Sequence, residues 1–225
     1  MPGQFCTNPG LLIGKAGAHL DTFIQHLGAA IQAISPATML NEKIYRGYES
    51  GRGEMLSQNG VNLEGQAEKA GDEWRGCGTV ASVSGSDFLA NVHLQEEVFG
   101  PFTLVVKCAD DAEMQTVVSQ LRGQLTATVM GEPEEMVAHA DLLGGLREKV
   151  GRLIFNGVPT GVEVCHSMFH GGPFPATTDS RFTSVGSNAI RRFVRPVAYQ
   201  SWPQALLPEE LKDGNPLGIK RMEVK

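Results

Sequence analysis

Strand-like and helix-like patterns alternate through residues 102–156, and this alternation constrains the fold more than any other feature. Phe102–Cys108 is a short apolar run rich in valine, and Asp110-Asp111 then precedes a helical pattern at about 112–122. A strand at about 125–130, a helix at 134–149 and a strand at 151–156 follow. Parallel strands joined by helices form sheets that are covered on both faces. We therefore predict an α/β fold, with a mostly parallel sheet flanked by helices.

Two helices are predicted before this region. At about 21–34, apolar residues recur at helical spacing until Ser35-Pro36 ends the pattern. A second helix is predicted at about 39–59, where three glycines weaken it. Residues 79–91 are strand-like, with a turn at Ser84-Gly85-Ser86.

The chain becomes loop-like after Gly157. A short helix is predicted at 187–193 and an edge strand at 196–201, and the stretch 204–225, with its prolines and glycines, is predicted to be an extended tail. We accordingly predict one domain at 1–195, followed by an edge strand and tail at 196–225.

Charge and hydropathy argue against several classes of protein. The chain has 19 Lys and Arg against 25 Asp and Glu, a formal charge of −6, and neither sign forms a long run. We therefore predict no nucleic-acid partner and no binding to an anionic membrane. Because no stretch approaches about 20 apolar residues and the first residues lack a signal-peptide pattern, we predict a cytoplasmic protein.

Four cysteines, at positions 6, 77, 108 and 165, are irregularly spaced and are predicted to be reduced thiols. His166 and His170 are four residues apart, but Gly171-Gly172-Pro173 indicates a loop after them. We predict no metal site.

Two short motifs carry candidate chemistry. Gly3-Gln4-Phe5-Cys6-Thr7 stands at the start of the chain, and Glu96-Glu97-Val98-Phe99-Gly100-Pro101 follows much later. By itself, Cys6 is also compatible with a terminal cysteine of no function. Glu96 and Glu97 alone are typical of a solvated acidic pair before a core phenylalanine.

In this order, and followed by Phe155-Asn156-Gly157, the motifs resemble the aldehyde dehydrogenase superfamily, as if the first half of such a protein were missing. The first motif resembles the stretch that carries the catalytic cysteine, and the second resembles the stretch that holds the nicotinamide ribose. Residues 156–164, 170–181 and 192–197 are similar to the branch that oxidises 2-oxoglutarate semialdehyde, also called 2,5-dioxopentanoate. The resemblance covers nearly the whole chain.

The resemblance implies roles for three residues. Cys6 is expected to attack the aldehyde carbonyl, giving a thiohemiacetal and then a thioester that water hydrolyses, with NAD or NADP as hydride acceptor. Glu97 is expected to accept hydrogen bonds from both ribose hydroxyls, and Phe99 to pack beside the nicotinamide.

For the substrate, the resemblance places Phe169 and Phe174 near the aldehyde tunnel. A buried carboxylate needs a cation or several donors, so Arg181 is the candidate for the remote oxo-acid end. An equally good interpretation is that Arg181 pairs with Asp179 or with a neighbouring subunit.

The sequence contains no Gly-x-Gly-x-x-Gly phosphate loop. In the resembled family, the oxyanion asparagine, the water-activating glutamate and most of the cofactor domain precede the cysteine. We therefore expect this chain to be inactive alone and to need a separate N-terminal cofactor-binding half. The resemblance also implies a homo-oligomer.

Two alternatives remain open at this point. The chain could be a non-catalytic oligomerisation or interaction module derived from that domain. A weaker possibility is a thiol esterase that uses Cys6 with His166.

Overall fold

A computed structural model describes residues 3–69, 74–159 and 161–222. The chain forms two compact units, residues 1–189 and residues 190–225. Within the described ranges, no helix is long and apolar enough to cross a membrane.

The first unit is built around a four-stranded sheet in the spatial order β1–β6–β5–β3. These strands are β1 (Leu11–Lys15), β3 (Asn62–Gln66), β5 (Thr79–Ser84) and β6 (Phe102–Cys108). β6 is parallel to both β1 and β5, whereas β3 pairs antiparallel with β5. The predicted α/β class with a mostly parallel sheet is confirmed.

Six helices accompany the strands in the described part of the chain: α1 (Ala18–Gln32), α2 (Glu42–Leu56), α3 (Gly85–Ala90), α4 (Asp111–Gln120), α5 (Pro133–Ala138) and α6 (Ala140–Arg147). Side-chain caps fix where several of them begin, since an N-cap oxygen satisfies a free backbone N–H. Asn41 accepts from the Ile44 N–H at 3.0 Å at the start of α2, and Asp110 accepts from the Glu113 N–H at 2.8 Å at the start of α4.

The core lies on both faces of β6, as its apolar sequence predicts. Leu104 and Val106 face a large cluster that includes Phe88 and Val117, whereas Val105 faces a smaller cluster with Ile24 of α1. Because neighbouring side chains point to opposite faces, one strand anchors helices on both sides.

Two smaller sheets complete the first unit. β7 (Gln124–Val129) and β8 (Val150–Phe155) form a parallel pair connected through α5 and α6. β2 (Ala37–Thr38) and β4 (Arg75–Gly76) form a short antiparallel pair. Across both units, the described residues also include four 3-10 helices, at Val92–Gln95, Ser187–Arg192, Gln204–Leu206 and Glu209–Leu211.

Several elements differ from prediction. The segment 79–91 is a strand only to Ser84; Ser84 then caps α3 by accepting from the Asp87 N–H at 3.0 Å, so the predicted turn is a helix start. The single helix predicted at 134–149 is two helices, which are divided at His139. β1 was missed, because its five residues contain a glycine and follow a Gly-Pro-rich loop.

The edge strand predicted at 196–201 has no pairing partner within the described chain, and it stays a prediction. Residues 196–201 are all described, and none of the described residues pairs with them in a sheet. A strand is defined by a backbone partner, which this segment does not have within the described chain. The domain boundary between 195 and 196 stays a prediction.

The second unit is held by local contacts. Tyr199 and Trp202 pack edge to face with ring centroids 5.9 Å apart, and the Trp202 indole N–H donates to the Leu206 carbonyl at 3.2 Å. Arg221 donates to the Lys212 carbonyl at 2.7 Å.

Candidate active site

Cys6 lies in a tight turn immediately before β1. The Asn8 N–H donates to the Phe5 carbonyl at 3.0 Å, which closes the turn around Cys6 and Thr7. Cys6 is exposed and Thr7 is buried. Gln4 is also buried, and its Oε1 accepts from the Leu40 N–H at 3.1 Å. The thiol is therefore accessible, although the turn that carries it is anchored on both sides.

The turn of Cys6 contacts the Glu97–Pro101 segment directly. β1 and β6 are parallel neighbours, so the loops that precede them reach the same edge of the sheet. Gly3 has a φ of +59° and lies so close to Gly100 and Pro101 that a Cβ on it would come within 2.4 Å of their backbone atoms. Asn8 Nδ2 also donates to the Gly100 carbonyl at 3.2 Å. The fold thus brings the two predicted motifs together.

Tyr48 supports the other side of Gly100. A Cβ on Gly100, whose φ is +159°, would lie 2.3 Å from the Tyr48 ring. The Tyr48 hydroxyl donates to the Cys77 carbonyl at 2.5 Å and lies 3.2 Å from the Pro101 carbonyl. Burial raises the pKa of Tyr48 to about 12, so this hydroxyl stays a proton donor. Gly100 therefore lies between the Tyr48 ring on one side and Gly3 on the other.

Glu97 and Phe99 are both on the surface beside this contact. Phe99 is 40% exposed, and Glu97 has no hydrogen bond or ion pair with any residue that the structure describes. Glu96, in contrast, pairs with Arg122 at 2.7 Å. Of the two adjacent carboxylates, Glu97 is the one free to accept from a ligand.

The Asn156–Pro159 segment reaches the same turn from β8. Thr7 Oγ1 donates to the Pro159 carbonyl at 3.0 Å. Asn156 exchanges two side-chain hydrogen bonds with the Gly131 backbone, at 2.9 and 2.8 Å, so the C-terminal ends of β7 and β8 are joined. Three separated motifs therefore meet around the residue that follows Cys6.

The segment 169–174 crosses the starts of β7 and β8 at very short backbone distances. Cβ atoms on Gly123 and Gly151 would lie 2.1 Å from the Pro173 carbonyl oxygen and 1.9 Å from that of Gly171. Phe169 is half-buried and folds against Gly171, whereas Phe174 is 79% exposed. The roles of Phe169 and Phe174 near the aldehyde stay predictions.

Arg181 pairs with Asp179, as one of the two interpretations of the sequence allowed. Its Nε and Nη2 donate to the carboxylate oxygens at 2.9 and 2.6 Å. This pairing raises the pKa of Arg181. The Arg181 side chain is exposed, and its proposed contact with substrate stays a prediction.

His166 forms a hydrogen bond with Ser187 and not with Cys6. Its Nδ1 lies 3.1 Å from Ser187 Oγ, and no hydrogen bond joins it to Cys6 among the described residues. Over those same residues, no group of three His, Cys, Asp or Glu side chains is placed to hold a metal ion. A concavity of about 570 Å³ lies near the C-terminal end of α1, lined by residues such as Ile34, Glu68 and Arg75.

Sequence reasoning missed two residues that organise this region, Tyr48 and Arg152. Tyr48 lies within a predicted helix, and nothing in a helical pattern distinguishes a tyrosine that supports a distant loop. Arg152 stands in a predicted strand, where a charged residue is expected to face solvent. The signal for Arg152 was its place in an otherwise apolar strand just before Asn156-Gly157.

The chain is similar to known proteins both in sequence and in fold. No family model matches the chain. It is 44% identical to α-ketoglutaric semialdehyde dehydrogenase 2 of Azospirillum brasilense over 98% of its length. It is also 44% identical to α-ketoglutaric semialdehyde dehydrogenase of Acinetobacter baylyi, again over 98% of its length. In both cases the chain spans 42% of the relative.

Solved aldehyde dehydrogenases share the fold. Aldehyde dehydrogenase from Bacillus cereus superimposes with a TM-score of 0.62 at 17% identity, over 84% of this chain and 38% of that one. Succinic semialdehyde dehydrogenase from Streptococcus pyogenes, solved in complex with NADP+, gives 0.60 at 17% identity, over 76% of this chain and 37% of that one.

In sequence over almost its whole length, and in fold, the chain is similar to part of the aldehyde dehydrogenases. It corresponds to less than half the length of its relatives. The relatives that match almost all of it are named α-ketoglutaric semialdehyde dehydrogenases.

Proposed function

We propose that these 225 residues carry the nucleophile and the ribose-binding turn of an NAD(P)-dependent dehydrogenase that oxidises 2-oxoglutarate semialdehyde to 2-oxoglutarate. The contact of Gly3 and Asn8 with Gly100 is the observation that supports this most directly. A cysteine that attacks an aldehyde and a carboxylate that holds the cofactor ribose must lie on adjoining loops. The contact between these two loops supports such an arrangement.

Cys6 is the proposed nucleophile because it is exposed on an anchored turn. Its thiolate forms a C–S bond to the aldehyde carbon, and the carbonyl oxygen becomes an oxyanion. When the C–H bond breaks with loss of hydride, the oxyanion collapses to a thioester. Water then adds to the thioester, releasing the carboxylic acid and the Cys6 thiol.

Part of a nicotinamide cofactor fits the residues present. Glu97 has a carboxylate without a described partner, and Phe99 presents an exposed ring beside Gly100, as the ribose and nicotinamide end requires. When bound, the cofactor accepts the hydride that leaves the aldehyde carbon. No glycine-rich phosphate loop is present in the sequence, so the pyrophosphate end is proposed to bind elsewhere. The choice between NAD and NADP is not decided by Glu97 or Phe99.

The substrate proposal rests on the names of the relatives and on the 169–181 segment. Phe169 and Phe174 are proposed to line the path of the aldehyde, and Arg181 to bind the remote carboxylate. Since Asp179 occupies Arg181 in the structure, substrate binding by Arg181 requires that the incoming carboxylate replace or share that partner.

We propose that these residues do not turn over alone and that they act in a homo-oligomer. The family resemblance implies that a phosphate-binding loop, an amide donor for the oxyanion and a base that activates water come from residues that precede the cysteine. Loss of one oxyanion donor raises the activation free energy by about 3–4 kcal/mol.

The test is complementation in trans. The chain is mixed with the separately expressed remaining portion of the Azospirillum brasilense relative, and reduced nicotinamide is followed with 2,5-dioxopentanoate and NAD or NADP. We expect no turnover by the chain alone and Cys6-dependent turnover by the mixture. Cys6→Ser is the matched control for the nucleophile.

A failure to bind the added portion would count against the split arrangement. A biological activity that survives Cys6→Ala would instead favour the non-catalytic interaction module. Turnover by the chain alone would show that the 225 residues supply the missing groups themselves.

A further inference from the structure

Arg152 binds the loop that follows β8 through two separate carbonyl groups. Its Nη2 donates to the Pro159 carbonyl at 3.0 Å, and its Nη1 donates to the Gly161 carbonyl at 2.9 Å. Nη1 also lies 3.9 Å from Met168 Sδ. The guanidinium therefore contacts both ends of the 159–168 loop.

This loop has few hydrogen bonds of its own. Among its described residues, the backbone bonds are Cys165 N–H to the Glu163 carbonyl and Met168 N–H to the Cys165 carbonyl, at 3.0 and 3.3 Å. The rigid fork of an arginine can hold two carbonyls at a fixed separation. Arg152 thus supplies hydrogen bonds to this loop in place of the backbone hydrogen bonds that a helix or strand would provide.

The Pro159 carbonyl accepts a second hydrogen bond, from Thr7 Oγ1 at 3.0 Å. Arg152, Pro159 and Thr7 are therefore connected in series, and Thr7 is the residue after Cys6. We propose that Arg152 is a positioning residue that fixes the turn of Cys6 and the 159–168 loop relative to each other. The importance of this link for catalysis rests on the proposed function, whereas the link itself does not.

Hydrogen exchange tests the link without requiring activity. Arg152→Met keeps the length of the side chain but removes its donors, Arg152→Lys keeps charge and donors, and Arg147→Met removes an exposed arginine as the matched control. We expect Arg152→Met to accelerate exchange about tenfold both at residues 161–168 and at the Asn8 N–H, as loss of about one hydrogen bond predicts. We expect Arg152→Lys to restore most of the protection at Asn8.

Thr7→Val approaches the same link from the other side and covers the case in which Arg152→Met does not fold. It should accelerate exchange at Asn8 while leaving residues 161–168 unchanged. The inference would be overturned if Arg152→Met accelerated exchange at residues 161–168 but not at Asn8. It would also be overturned if Thr7→Val left exchange at Asn8 unchanged.

The complemented enzyme separates this inference from the proposed function. There, Arg152→Met should lower kcat/KM about tenfold or more, with substantial recovery in Arg152→Lys. If complementation gives no turnover but exchange changes as expected, the proposed function fails and the positioning link stands. If turnover is normal in Arg152→Met, Arg152 has no positioning role in the reaction.

Discussion

The Thr7 hydroxyl donates a hydrogen bond of 3.0 Å to the Pro159 carbonyl, so that the residue after Cys6 is tied to a loop 152 positions later in the chain. Thr7 is buried, and its hydroxyl cannot find water easily once this partner is lost. A long-range hydrogen bond thus joins the cysteine turn to the end of β8.

Thr7→Val should therefore destabilise the protein by about 1 kcal/mol, because valine keeps the shape but not the donor. Denaturant unfolding measures this difference. Thr7→Ser keeps the hydroxyl and should lose less stability than Thr7→Val; a larger loss in Thr7→Ser would mean that packing of the methyl group, and not the hydrogen bond, is responsible.

Gly100→Ala should separate the two motifs of the site. The new Cβ would meet the Tyr48 ring at 2.3 Å, so the turn at Gly100 must move, at a cost of about 1–3 kcal/mol. Gly10→Ala is the matched control, because a Cβ there has no neighbour within 4 Å. Thermal unfolding compares the two, and similar melting temperatures would contradict the close packing at Gly100.

Tyr48→Phe should remove the hydroxyl that donates to the Cys77 carbonyl, although Thr79 still donates to both the Cys77 and the Pro101 carbonyls. The expected loss of stability is about 1 kcal/mol. Tyr45→Phe, one turn earlier in α2, is the control, because Tyr45 packs at the edge of the core and its hydroxyl has no hydrogen bond to a described residue. Equal unfolding free energies in the two variants would argue against the role of the Tyr48 hydroxyl.

His170 should make stability depend on pH. Burial and then the charge of Arg152 lower the pKa of His170 from its usual 6.5. The unfolded chain therefore binds a proton more readily than the folded chain, so His170 contributes stability above pH 6.5 that is lost as the pH falls through that value toward the lower folded pKa.

Melting temperatures between about pH 8 and pH 5 test this prediction. His170→Gln should flatten the acid side of the wild-type curve. His93→Gln, at an exposed position, should leave that curve unchanged; a wild-type slope in His170→Gln would assign the pH dependence to other groups.

The four cysteines should differ in alkylation by iodoacetamide. Cys6 is exposed and Cys165 half-buried, whereas Cys77 and Cys108 are buried. Burial, with the charges of Glu113 and Asp110, raises the pKa of Cys108 to about 11, so its reactive thiolate is scarce at neutral pH. Peptide mapping should find label first on Cys6 and Cys165, and on Cys77 and Cys108 only after unfolding.

The sequence predicts the parts of this fold that depend on local chemistry. β6 has the predicted bounds, Phe102–Cys108, because its apolar residues are contiguous and follow directly after Gly100-Pro101. The start of α4 agrees within a residue because Asp110 caps it. The two motifs could be named as candidates for the same reason, since each is contiguous.

The remainder depends on pairings that no local pattern encodes. The segment 196–201 has β-branched and aromatic residues but no partner strand among the described residues. The links from Tyr48 to Pro101 and from Arg152 to Pro159 join distant or irregular segments through carbonyl groups, which every residue has. The sequence therefore does not indicate which carbonyl group will accept a hydrogen bond from a distant side chain.

The close passage of 171–173 over Gly123 and Gly151 has a consequence for how this protein can change. There the path of the chain is determined by close contacts between backbone atoms of the two segments. Substitutions at Phe169 and Phe174 can therefore alter the size and polarity of the surface while the route of the chain is kept. Gly123 and Gly151 thus fix the route of the backbone, whereas the side chains along that route can be changed.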